Sequence, residues 1–115
     1  MTDNRQHLRY QVSGRAQLET GTPRAAVDVS LIDISAGGIS FQSDVVFSLG
    51  SRGRLSFSVH TGEQTVSVAA PIDVRYCVLH LSRYRIGVQF VELDASAQKA
   101  IDAIIEARKR IVERH

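Results

Sequence analysis

Alternation of apolar and polar residues limits the folds open to this chain more than any other feature. In RLSFSVH, Leu55, Phe57 and Val59 alternate with Ser56, Ser58 and His60. A two-residue period gives one apolar face only if the segment is an extended strand. YRIGVQFV repeats the pattern with Tyr84, Ile86, Val88 and Phe90. TVSVAAPIDVRY carries it through Val66, Val68, Ala70, Ile72, Val74 and Tyr76. Pro71 lies inside that run and cannot donate to a ladder, which points to an edge position or a bulge. RYQVSGRAQLE and AAVDVSLIDI are strand-like on either side of the turn cluster TGTP, and HTGEQ is a hairpin loop. DVVFSLGSRG, at 44–53, fits a loop or a single turn of helix.

The period changes after Asp94, which is placed to cap a helix. In ASAQKAIDAIIEARKRIVERH, Ala97, Ile101, Ile104, Ile105, Ile111 and Val112 recur every three or four residues, with Arg108 breaking the stripe. Basic residues gather toward the end, where they complement the helix dipole. The expected role is a helix packed on the sheet, with Arg108, Lys109 and Arg110 solvated. Nothing in the strand spacing suggests βαβ units. The pattern predicts six or seven short antiparallel strands in a small barrel or sandwich, closed by a C-terminal helix.

Composition narrows the function. A chain of 115 residues with 43% apolar content fits one domain. Without Trp, its core must come mainly from Val, Ile and Leu. A net charge of +2 is well below that of a dedicated DNA-binding domain. The single cysteine, Cys77, rules out an internal disulfide, and no apolar run is long enough to span a bilayer. With no leader-like apolar segment at the start, a cytoplasmic protein is expected. His7, His60, His80 and His115 lack metal-ligand spacing, and no nucleophile–base pair is evident, so catalysis is not expected. A barrel binding single-stranded nucleic acid is a competing reading. It needs exposed aromatic platforms, whereas the aromatics fall mostly on the expected core faces.

Two stretches carry chemistry. The polar leader MTDNRQHLRY holds Arg5 and Arg9 just ahead of the first strand-like run. Further along, LIDISAGGISF would turn Ile32 and Ile34 to the core and leave Asp33 and Ser35 together outside. Gly37 and Gly38 follow, permitting a positive-φ turn and a close backbone approach. A carboxylate can accept the paired N1–H and N2–H donors of guanine, and arginine suits phosphate or the O6/N7 edge. The arginine spacing carries no weight alone: Arg-x-x-x-Arg is expected about once by composition, and it recurs at Arg110/Arg114. Asp-x-Ser-x-x-Gly is expected only about 0.05 times. Asp33 could also simply pair with Arg9, and Asp or Ser beside Gly-Gly commonly bonds its own turn.

Taken in order, Arg5-x-x-x-Arg9, then Asp33-x-Ser35-x-x-Gly38, then YRIGVQFVELD before a helix, the sequence resembles the PilZ domain family over nearly its whole length. The resemblance implies a six-stranded antiparallel β-barrel with a C-terminal helix and binding of the bacterial second messenger cyclic di-GMP. It implies a single domain over 1–115, with a flexible latch at 1–9, the barrel at 10–93 and the helix at 94–115. Arg5 and Arg9 would hold phosphates and guanines, Asp33 and Ser35 would contact guanine, and Gly38 would keep the turn open. Signalling would pass to an unidentified partner protein. Asn4 stands where many members have a further arginine, which leaves open whether one or two ligands bind. A PilZ-like interaction domain without nucleotide binding is the other family-level alternative.

Overall fold

The computed structural model describes residues 8–21 and 25–113. In chain order the strands are β1 (Tyr10–Gln11), β2 (Arg15–Thr20), β3 (Ala25–Ile34), β4 (Gly38–Ser43), β5 (Arg52–His60), β6 (Thr65–His80) and β7 (Arg83–Phe90). The helix α1 follows (Ala95–Glu113). All pairings are antiparallel, and the order β2–β3–β4–β7–β6–β5 returns to β2, closing a six-stranded barrel. Closure leaves each apolar face inside and removes most open edges. β1 extends the β2 side of β3, with the connection at 12–14 still bonded to it through Val12 N to Ile32 O and Leu31 N to Gly14 O.

The alternation expected for β5 is seen at every position, with Gly53, Leu55, Phe57 and Val59 buried and the intervening residues exposed. Pro71 sits near the point where β6 passes from β5 to β7. Its carbonyl accepts from Val91 just past the end of β7, so its missing N–H faces the same side, beyond the β7 ladder. The segment 44–51 is a loop, and β5 begins at Arg52, within the 44–53 stretch expected to be loop or helical turn.

Two bulges overturn the strict alternation. In β3, Leu31 faces Phe41 but Asp33 faces Ser40, so Ile32 is the extra residue. Leu31 and Ile34 are therefore the core pair, and Ile32 is only half-buried. In β6, Val74 faces Val88 but Tyr76 faces Gly87, so Arg75 is extra. Tyr76, expected on the core face with Val74, is turned outward.

Asp94 caps α1, its Oδ1 accepting from the Ala97 amide at 2.7 Å. Ala97, Ile101, Ile104 and Ala107 bury one face of the helix, which packs against β6 and β1. Arg108 departs from the solvated run expected for it: its Nε is buried and has no hydrogen-bond partner among the described residues. No helix among the described residues is long and apolar enough to cross a membrane.

Candidate functional site

The bulge at Ile32 determines where the polar corner forms. It resets the phase of β3 so that Asp33 points to the outer face opposite Ser40 of β4. Ser40 in turn faces Gly87 of β7, and Gly87 faces Tyr76 of β6. One outward row thus crosses four strands: Asp33, Ser40, Gly87, Tyr76. The next row places Gln42 beside Arg85. The middle of this surface is floored by small groups, a hydroxymethyl and a bare backbone. The Tyr76 ring lies over Gly87, in the space where any larger residue would put its Cβ.

Asp33 is the hub. Its side chain is 16% exposed. Arg9, just ahead of β1, donates to Oδ1 through Nε at 2.9 Å and Nη2 at 2.7 Å. Ser40 Oγ donates to the same oxygen at 2.6 Å. Among the described residues, Oδ2 has only a long contact from Arg85 Nη2, at 3.4 Å. Among these residues one carboxylate oxygen is saturated and the other keeps accepting capacity. Partial burial pushes the carboxyl upward. The hydrogen bonds from Arg9 and Ser40 and the charges of Arg9 and Arg85 outweigh it and hold the group below its ordinary value of 3.8.

The sign of the pH dependence follows. A lowered native value means that Asp33 adds stability above its unfolded pKa and loses it as pH falls through the lower folded one. The stability gap between the native chain and Asp33→Asn is therefore expected to be flat from about pH 5 upward. It should shrink only below about pH 4, as read by urea unfolding across that range.

Ser35 is placed differently from expectation. It is 3% exposed, not outside with Asp33. Its hydroxyl accepts from the Gly38 amide at 3.2 Å, and its own amide donates to Gly38 O at 2.8 Å. This pins the β3–β4 turn and so fixes where Asp33 stands. Neither Gly37 nor Gly38 uses a positive φ. Gly38 is required by space, since a Cβ there would strike the Val88 carbonyl of the neighbouring strand. Arg5 lies outside the described residues.

The fold and this surface define a class: a closed antiparallel barrel presenting a carboxylate held between guanidinium groups on its outer wall. The model of the PilZ domain family matches residues 3–107, and the chain belongs to that family. Among solved structures it is similar to the Bacillus subtilis inhibitor of motility MotI/DgrA (20% identity, TM-score 0.79), matching over 97% of this chain and 53% of that one. It is similar to the PilZ domain of Escherichia coli YcgR with c-di-GMP (16% identity, TM-score 0.63), over 97% of this chain and 96% of that one. It is also similar to the K. pneumonia MrkH–c-di-GMP complex (15% identity, TM-score 0.73), over 98% of this chain and 54% of that one. The chain thus spans about half the length of MotI/DgrA and MrkH. No curated protein matches.

Ser40, Gly87, Tyr76 and Arg85 join the site without having been singled out from the sequence. The glycine was legible as a break in the side-chain row of YRIGVQFV. The other three depend on strand register.

Proposed function

We propose that this chain is a cyclic di-GMP receptor that acts on a partner protein rather than a catalyst. The observation that carries the reading is the Asp33 carboxylate, half-satisfied among the described residues, beside a floor of small groups and edged by an aromatic ring and two arginines. The surface suits a guanine: Oδ2, and Oδ1 once Arg9 leaves it, accept the paired N1–H and N2–H donors, and the base lies by Ser40 against the Tyr76 ring that covers Gly87. Adenine presents an unprotonated N1 at that place and would set lone pair against lone pair. Family membership and the c-di-GMP named for the YcgR and MrkH structures support the same ligand.

The Arg9–Asp33 pair gives the reading a mechanism. Arg9 is 45% exposed, and an ion pair this open contributes only about 0–1 kcal/mol. It is therefore easily exchanged. A bound dinucleotide would offer Arg9 a phosphate, which guanidinium holds in bidentate fashion, and would free Oδ1 for guanine. Arg5 would join Arg9 on the phosphates, and ordering of the 1–9 segment would alter the surface seen by a partner. Ser35 and Gly38 serve by fixing the turn. As a receptor for an intracellular messenger the chain would work in the bacterial cytoplasm, without membrane insertion or a nucleic-acid partner.

Isothermal titration calorimetry with cyclic di-GMP, cyclic di-AMP and GTP tests this directly. Selective micromolar or tighter binding of cyclic di-GMP is expected, and the stoichiometry shows whether Asn4 restricts the site to one molecule. No heat at several temperatures and salt concentrations would overturn the receptor reading and leave an interaction domain. Tyr76→Ala should weaken binding by about 1–3 kcal/mol, the scale of one base–aromatic stack. Circular dichroism should stay unchanged, because the ring lies outside the core.

A further inference from the structure

The barrel closes along most of its length, but β6 outruns β5. Its ladder with β5 ends at the Arg52–Asp73 pair, followed only by the two bonds that tie Val74 to Gly50 and Ser51. From Arg75 to His80, β6 is paired only with β7 among the described residues. The Phe90 amide bonds toward Gly37 and the Val91 amide toward Pro71, which sets the alternation along β7. Gly87, Arg85 and Arg83 then bond Tyr76, Val78 and His80. The amides and carbonyls of Cys77 and Leu79 point the other way, onto an edge that is open among the described residues.

The side chains along this edge are apolar and wet. Val78, Leu79 and Leu81 are 54%, 64% and 84% exposed. The loop bearing exposed Val45 and Val46 is tied to the same hairpin, on its β7 side, by the Arg83–Asp44 bond of 2.9 Å. At the hairpin tip, Leu81 and Ser82 take φ values of 50° and 71°. Two-residue turns of that shape prefer Asn or Gly, so a leucine here carries strain as well as exposure. An open, apolar edge is also an aggregation hazard that proteins usually blunt. Charge is one-sided too. Between Asp73 and Glu92 the sequence has no acid but holds Arg75, His80, Arg83 and Arg85. The nearby Asp44 and Asp33 are already paired with Arg83 and Arg85.

We propose that the Arg75–His80 edge receives an extended, acidic and apolar segment of a partner protein as an added strand. Backbone groups unpaired among the described residues supply the hydrogen bonds of strand addition, the exposed Val and Leu side chains supply apolar contacts, and Arg75, without an acidic partner among those residues, selects acids. A second copy of the chain would bring another basic, acid-free hairpin against this one. The inference rests on the reading that the chain signals through a partner. It gives that partner a place next to the nucleotide surface, since Tyr76 and Arg85 belong to the same hairpin.

The test is panning of a random peptide library against the full chain without dinucleotide, followed by amide exchange of the selected complexes by NMR. Selected peptides should carry Asp or Glu alternating with apolar residues. They should slow exchange of the Cys77 and Leu79 amides at least tenfold. Leu79→Glu should weaken their binding at least tenfold with the amide spectrum otherwise retained. Leu81→Asn, which suits the turn, should weaken it with no loss of fold. Failure to select any peptide, selection without acids, or protection centred elsewhere would overturn the proposal. So would self-association of the chain through this edge. Because no dinucleotide is present, each of these outcomes leaves the ligand reading to its own titration.

Discussion

Replacing Asp33 with alanine is expected to weaken cyclic di-GMP binding by about 3 kcal/mol, roughly 150-fold at 25 °C. Two parallel donors on guanine meet one carboxylate, and each hydrogen bond to a charged group is worth about 1.5–3 kcal/mol without full additivity. The same change should cost the unliganded fold little. The Arg9 pair is exposed and adds about 0–1 kcal/mol. Ser40 is fully buried and loses its acceptor, which adds about 1 kcal/mol more. Arg9→Ala separates the two roles of this ion pair. It removes a phosphate ligand but also frees Oδ1, so it should cost less affinity than Asp33→Ala. Titration calorimetry and urea unfolding on the same preparations check both. Unfolding of the barrel by either variant, with affinity unaffected in the folded fraction, would make the pair a structural brace and not a latch.

The residues that define this site differ in how openly the sequence shows them. The faces of β5 and β7 follow from alternation alone, because both strands run without interruption and a two-residue period fixes every side chain. The helix and its Asp94 cap are equally plain. Asp33 and Arg9 could be named from a short motif, and even their pairing was foreseeable. Ser35 shows the limit of a motif: it has the right type at the right spacing, yet its hydroxyl is turned to the Gly38 amide. What stays hidden is the effect of a bulge. One extra residue has no compositional mark, but it reverses the face of everything beyond it. Ile32 moves Leu31 into the core this way, and Arg75 brings Tyr76 out of it. Arg85 is 52 residues from Asp33, and only the ladders through β4 join them. No local pattern could have placed that arginine at the carboxylate.

Two glycines of the site should respond oppositely to the same substitution. A methyl group on Gly38 would collide with the Val88 carbonyl, a backbone atom locked between hydrogen-bonded strands. Relief requires the β4–β7 ladder to shift, and overpacking of this kind costs about 1–3 kcal/mol, occasionally more. The turn held by Ser35 is disturbed as well. Gly38→Ala is therefore expected to lose about 3 kcal/mol of stability, which lowers the melting temperature by roughly 10 °C in a domain of this size. The three atoms nearest to a methyl on Gly87 all belong to the ring of Tyr76. That ring stands on the outer wall and is 39% exposed, so it can swing away without breaking a strand pairing. Gly87→Ala should melt within about 2 °C of the native chain, since exchanging glycine for alanine also reduces the freedom of the unfolded state. Its cost should appear in ligand binding, because the methyl displaces the Tyr76 ring against which the base would stack. Thermal melts paired with cyclic di-GMP titrations distinguish the two. A Gly87→Ala chain that is stable and binds normally would move the guanine off this row of the barrel and toward the Arg9 end of the site.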